Sequence, residues 1–338
     1  MRILVTGAAG LLGGAVASAM QAAGHQVTAL DRAKTALRSA PGRAQGMTLL
    51  QGDILDQETL ARAVRDQDAV FHGAAILAPA SERDPARARA VNVEGTRRLL
   101  AATAAEAERQ RRQRGPWPSM RPGIIYPSSV ALWGPGDPDG APRCSDDPIQ
   151  PSDHYTSQKA EAETMVRASG LPWLVFRVGV VMHPGQIVTN PEIIAWMFEV
   201  RPANRIEILH PEDAGRAVLN AIEEPRAWNR ILPLGGGPAC QVRQQDLLEA
   251  AFQALGLGPL PPGIQGREPF YTDWMDSSET ERLLRFQRYS FADFRRESAA
   301  RYRWLRPGLG ALAPIIRRAL VAWMDSRRHH VSSSQAKH

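Results

Sequence analysis

A strand that runs straight into a glycine-rich bend constrains this chain more than any other feature. Residues 2–5 form a short apolar run, as in a buried central strand of a parallel sheet. Thr6-Gly7-Ala8-Ala9-Gly10-Leu11-Leu12-Gly13 follows at once, then an alanine-rich stretch from Ala15 to Ala23 with strong helix propensity. Strand, glycine turn and helix in this order make a phosphate cradle. Gly7 permits the tight turn, Gly10 puts no side chain in the way of a pyrophosphate, and Gly13 lets helix and strand pack closely. The free N–H groups at the helix start, around Leu11 and Leu12, complete the anion site. The ligand that such a cradle takes is a dinucleotide.

The next strand spans residues 26–30 and ends at Asp31, about 20 residues on, where an acidic side chain accepts hydrogen bonds from the adenosine ribose. This favours NAD, since a 2′-phosphate would be repelled. Arg32 leaves NADP possible, because its guanidinium can neutralise that phosphate. Asp53, followed by Ile54 after a third strand, has two readings. It meets the adenine amino group, or it is a turn or N-cap aspartate.

The second informative run is Tyr155-Thr156-Ser157-Gln158-Lys159. A tyrosine beside a nicotinamide gives or takes the hydroxyl proton while hydride moves. A free phenol has a pKa near 10, too high for an efficient base at neutral pH. A lysine four residues on lies on the same helical face. Its charge favours the phenolate, and it can also hold the cofactor ribose. Lysine occurs elsewhere only at positions 34 and 337, while arginine is abundant. The ammonium at 159 is therefore a specific choice, for which a flat guanidinium is a poor substitute.

Further marks stand in order along the chain: Val70-Phe71-His72-Gly73-Ala74-Ala75, Asn92-Val93-Glu94-Gly95-Thr96, Pro127-Ser128-Ser129-Val130, Phe176-Arg177-Val178-Gly179 and His210-Pro211-Glu212-Asp213. With the two motifs above, they resemble the extended short-chain dehydrogenase/reductases, from Met1 to about Phe286. The resemblance implies a doubly wound α/β fold, with a parallel Rossmann sheet and a smaller C-terminal substrate-binding cap. It implies Tyr155 as acid/base, Lys159 as its activator and Ser129 as polariser of the substrate oxygen, with Ser128 the fallback. Ala74 and Ala75 are implied at the dinucleotide. Asn92 positions backbone or water near the site, or caps a helix. A small alcohol or ketone substrate and a homodimer are implied as partners. Trp133 stands where the family usually has a tyrosine, so any hydrogen bond from that phenol is lost.

Departures from the family narrow the chemistry. Dehydrating members carry an acid pair directly after the catalytic Ser/Thr, and decarboxylating members have a glutamate at the position of Ala131; Val130 and Ala131 can protonate nothing. Many sugar-nucleotide enzymes have an asparagine three residues beyond the arginine of the sixth strand, where this chain has Val180. The segment from Gly185 to His210 is short and holds Ile193, Ile194, Trp196, Met197 and Phe198, which read equally as a cap helix or an apolar substrate wall. The expected function is NAD(P)-dependent hydride transfer at a secondary alcohol or ketone. An NAD-dependent epimerase is the alternative, and a redox-inactive dinucleotide-binding sensor or scaffold the remote one.

Residues 1–180 are expected to form mainly the dinucleotide-binding domain and 181–308 mainly the cap. Residues 309–338 are read as an amphipathic arm that packs on the body, pairs with a second subunit or lies on a membrane, in that order. From Arg327 onward the polar tail is read as disordered. Cys144 and Cys240, far apart, point to a reducing compartment, and Met1 opens directly into the first strand. A cytoplasmic protein is expected, with no integral membrane segment and no metal. The net charge of +6 gathers at Arg97–Arg121 and Arg282–Arg306. No nucleic-acid module accompanies it, so a solvated basic face is expected and nucleic acid is not.

Overall fold

The computed structural model describes residues 1–33, 46–114, 122–184, 194 and 197–335. Seven strands form one sheet in the order β3-β2-β1-β4-β5-β6-β9. They are β1 (Arg2–Thr6), β2 (Gln26–Asp31), β3 (Met47–Gln51), β4 (Ala69–His72), β5 (Gly123–Ser129), β6 (Trp173–Val178) and β9 (Arg230–Leu234). Every neighbouring pair is parallel. This is the doubly wound Rossmann arrangement expected from the sequence. Side chains alternate between its faces. Ile3 and Val5 enter one core with Val16, Met20, Phe71 and Phe176, and Leu4 enters the other with Leu30, Val70, Leu99 and Ile124.

The strand order reverses between β1 and β4, and a ligand crevice opens there beyond the carboxyl ends of the strands. The glycine bend leaves β1 at that point, and Gly73-Ala74 leaves β4 beside it.

A three-stranded sheet, β10-β8-β7, stands beside the main one. It is made of β7 (Val180–Val181), β8 (Arg205–Leu209) and β10 (Gln241–Arg243). Of the apolar segment noted above, Ile193 and Trp196 lie outside the described residues. Phe198 is buried with Leu248 and Phe252 of the Gln244–Leu255 helix, and Ile194 and Met197 pack against that cluster. These three residues are cap core.

The C-terminal helix runs from Arg306 to Gln335 and closes the same cluster with Leu309, Ile316, Leu320 and Met324. The disordered tail expected from Arg327 is therefore helical as far as Gln335. Once a helix is nucleated, each added residue costs little, and no Gly or Pro follows Pro314 to stop it. The basic run on the Thr96–Arg114 helix is largely paired: Arg97 with Glu94, Arg109 with Glu106 and Asp66, and Arg111 and Arg112 with Glu108. That is a solvated ion-pair face.

Candidate active site

The cradle is built from backbone. Gly7 adopts φ +68°, and a Cβ there would lie 2.6 Å from the backbone of Gly73 and Ala74. At Gly13 a Cβ would lie 2.3 Å from the Gly7 carbonyl oxygen, so the Leu11–Ala22 helix rests directly on the bend. Gly10 is different. It is exposed, and a Cβ would meet only the Gly7 oxygen, at 3.2 Å. It is also the N-cap of the helix, with no side-chain cap and no acidic residue in the first turn. The helix thus offers free N–H groups to an anion.

Asp31, at the end of β2, ties this bend down. Its carboxylate accepts from the backbone N–H of Ala9 and of Ala33, both at 3.0 Å. Asp53 accepts from the Leu55 N–H at 3.0 Å and stands 3.8 Å from Arg32. Its carboxylate closes a turn. The N-cap of the Gln57–Ala63 helix is Asp56.

The opposite wall comes from β5 and the His154–Arg167 helix. Asp153 and Thr156 form a capping box at the start of that helix, and Glu82 accepts from the N–H groups of His154 and Tyr155, at 3.2 and 3.1 Å. A carboxylate at a helix N-terminus is favoured by the helix dipole. The helix start is fixed, and with it the side on which Tyr155 and Lys159 emerge. Ser129 ends β5; its hydroxyl accepts from the Ala131 N–H at 3.1 Å, capping the short Val130–Trp133 turn.

Burial dominates the electrostatics here. It pushes the Tyr155 phenol up to about 12, with the Ser129 hydroxyl opposing. The four-residue spacing predicts a phenol lowered by Lys159. The shift has the other sign because desolvation of the phenolate outweighs the Ser129 hydrogen bond that favours it. Burial also pushes Lys159 down to about 7, with Glu163 opposing. The ammonium is enclosed: it donates to the Pro127 carbonyl at 2.6 Å and lies 4.5 Å from the centre of the Tyr126 ring.

These parts line one cleft of about 800 Å³. Gly7, Gly10, Leu11, Leu12 and Gly13 lie along it with Asp31, Arg32, Asp53 and Ile54; Ala74 and Ala75 follow, and Ser129, Tyr155 and Lys159 stand beyond. Asn92 is not among the lining residues. It sits in a π-helical turn, Ala90–Gly95, a form often found near functional sites. Its amide exchanges two hydrogen bonds with the Ile76 backbone, at 2.8 and 2.9 Å, and donates to Gln158 at 2.8 Å. It holds the cleft-lining loop against the tyrosine helix from behind and caps nothing.

Sequence reasoning missed several supporting groups. Glu82 gave no signal, since its partner is a helix terminus distant in sequence. His72 bridges the hydroxyls of Thr6 and Thr96, at 2.8 and 2.9 Å, and burial pushes it down to about 3, so the imidazole is neutral. Thr6 in turn accepts from the Ala74 N–H at 3.2 Å, fixing the cleft floor. Arg177 and Glu163 form a buried ion pair at 2.9 Å, with the guanidinium 4.9 Å from the centre of the Trp133 ring. Ser128 lines the cleft; its buried hydroxyl has no partner among the described residues.

Residues 3–232 match the family described as NAD dependent epimerase/dehydratase. The chain belongs to that family. It is 42% identical over 106 residues to a 3 beta-hydroxysteroid dehydrogenase/Delta 5-->4-isomerase of Mycobacterium tuberculosis, covering 30% of this chain and 28% of that protein. The chain thus aligns with only about a quarter of that relative's length. A UDP-glucose 4-epimerase of Streptomyces lividans is 26% identical over 304 residues, covering 79% of this chain and 86% of that protein. In fold, the chain is similar to a short-chain dehydrogenase/reductase superfamily protein from Agrobacterium tumefaciens solved with bound NAD. The TM-score is 0.71 at 21% identity, covering 90% of this chain and 98% of that one.

Proposed function

We propose that this chain is an NAD-dependent oxidoreductase acting on a secondary alcohol or ketone. The observation that carries the reading is the meeting of the glycine bend, Asp31, Ser129, Tyr155 and Lys159 along a single cleft. The residues fit the cofactor. The uncapped helix start at Gly10 suits a pyrophosphate, and the Asp31 oxygens retain lone pairs for ribose hydroxyls. NAD, when bound, supplies the hydride acceptor or donor. Arg32 is drawn toward Asp53 rather than left for a 2′-phosphate, so NAD is the preferred form.

Tyr155 is protonated at neutral pH, as any phenol with a pKa near 10 is, and burial raises it further. It donates that proton to a ketone oxygen as the carbonyl carbon gains hydride. In the oxidative direction the phenolate takes the alcohol proton. Ser129 orients and polarises the same oxygen. Lys159 stands one helical turn on from the tyrosine; in its protonated form, which burial confines to pH values near and below about 7, its charge lowers the cost of the phenolate. Ser128 offers an unused donor on the same wall.

An epimerase is the second reading, supported by the Streptomyces epimerase's alignment with most of this chain. The sensor reading is disfavoured by a complete Ser, Tyr and Lys set at the cleft. A cytoplasmic location is supported by the two free cysteines, Cys144 and Cys240. The homodimer rests on the family resemblance and is checked by analytical ultracentrifugation. Absorbance of reduced nicotinamide, followed while secondary alcohols and ketones turn over, tests the main reading. Net formation or consumption supports a dehydrogenase or reductase. Product without net change supports the epimerase. No turnover with any substrate returns the sensor.

A further inference from the structure

The C-terminal helix is apolar on two sides. One side seals the cluster around Phe252. On the other, Leu312 is 51% and Ile315 67% exposed; just ahead of the helix, Trp304 is 79% and Leu305 54% exposed. Positions 305, 308, 312, 315, 319 and 322 recur at three- and four-residue spacing and so share one strip. All six are exposed, and none carries a charge. Large apolar side chains gathered on an exposed face mark a docking surface.

Two occupants suit such a strip, a second copy of the chain or a lipid surface, and charge separates them. Arg303 and Arg318 are exposed beside the strip, and residues 301–328 hold seven arginines against one aspartate. A twofold contact sets the same patch of both copies face to face, so two basic rims would meet and repel. An anionic bilayer supplies the opposite charge, and each arginine near it raises partitioning roughly fivefold. Trp304, with the Arg303 guanidinium 4.9 Å from its ring centre, is a side chain suited to the headgroup boundary. No helix among the described residues is long and apolar enough to cross a membrane. A basic helix with an apolar strip lies in the interface plane instead.

We propose that the face running from Trp304 to Ala322 docks the protein on an anionic lipid surface. The proposal is independent of the chemistry in the cleft. Co-sedimentation of the full chain with phosphatidylcholine vesicles containing phosphatidylglycerol, against phosphatidylcholine alone, reads it directly. The wild type is expected on the anionic vesicles and to be released by added salt. Ile315→Asp and Trp304→Ser lower that partitioning about tenfold or more, and Arg303→Gln or Arg318→Gln about fivefold each. The substituted side chains are exposed, so circular dichroism and turnover of soluble substrate stay unchanged. Absence of the wild type from anionic vesicles, or undiminished partitioning of Ile315→Asp, overturns the proposal. A shift of Ile315→Asp to a smaller species on gel filtration also overturns it and gives the face to a second copy.

Discussion

Replacing Lys159 by Met changes how stability depends on pH. Lys159 is 4% exposed, and its ammonium has one carbonyl acceptor, one aromatic face and the more distant Glu163. That is less than water gives it, so its pKa falls from 10.5 to about 7 in the folded chain. Between these values the unfolded chain binds the proton and the folded chain does not. Stability therefore rises with pH across the window, and the penalty for the buried charge is fully present below the folded value. One proton of difference gives a slope of about 1.4 kcal/mol per pH unit.

Other groups bound the usable range. His72 and His210 are both lowered and act below their ordinary 6.5, while the raised thiol of Cys240 acts only above its ordinary 9.0. Between those limits lie about two pH units, over which the wild type gains roughly 2–3 kcal/mol from this lysine. Urea denaturation of wild type and Lys159→Met at several pH values measures the difference. Parallel stability curves for the two proteins would refute the reasoning, and so would a wild type that weakens across the range.

Two further substitutions probe the frame of the site. Gly13→Ala drives a Cβ against the Gly7 carbonyl oxygen and is expected to cost about 1–3 kcal/mol, whereas Gly10→Ala, at an N-cap, costs about 1 kcal/mol or less and acts mainly by weakening NAD binding in a calorimetric titration. Glu163→Gln leaves the Arg177 guanidinium buried without its counter-charge, at about 3–5 kcal/mol; a double-mutant cycle with Arg177→Met should recover part of that loss.

The parts of the site legible in the sequence are those whose chemistry is local. Gly7, Gly10 and Gly13 act through one turn, and Tyr155 and Lys159 through one helix face, so spacing alone places them. Asp31 was legible because it ends a strand at a fixed distance from the bend. What escaped depends on partners far away in the chain. Glu82 reaches a helix terminus some 70 residues on, Asn92 holds the backbone of Ile76, and the Lys159 ammonium meets the Pro127 carbonyl. The sign of the Tyr155 shift escapes the sequence for a related reason. Spacing reports the neighbouring charge, while burial depends on segments that are distant in the chain and meet only in the fold. In the cap, Phe198 and Met197 are apolar whether they face substrate or core, and only the packing of the Gln244–Leu255 and C-terminal helices against them decides it.

The claim on which this account depends is that Tyr155 moves a proton beside NAD seated on the glycine bend. Titration of NAD into wild type and Tyr155→Phe, with reduced-nicotinamide absorbance followed in both on the same alcohol, tests it most directly. The account predicts unchanged NAD affinity and a turnover loss of about 10²–10⁴-fold. Turnover that survives the loss of the hydroxyl, or a wild type that takes up no NAD, would contradict it.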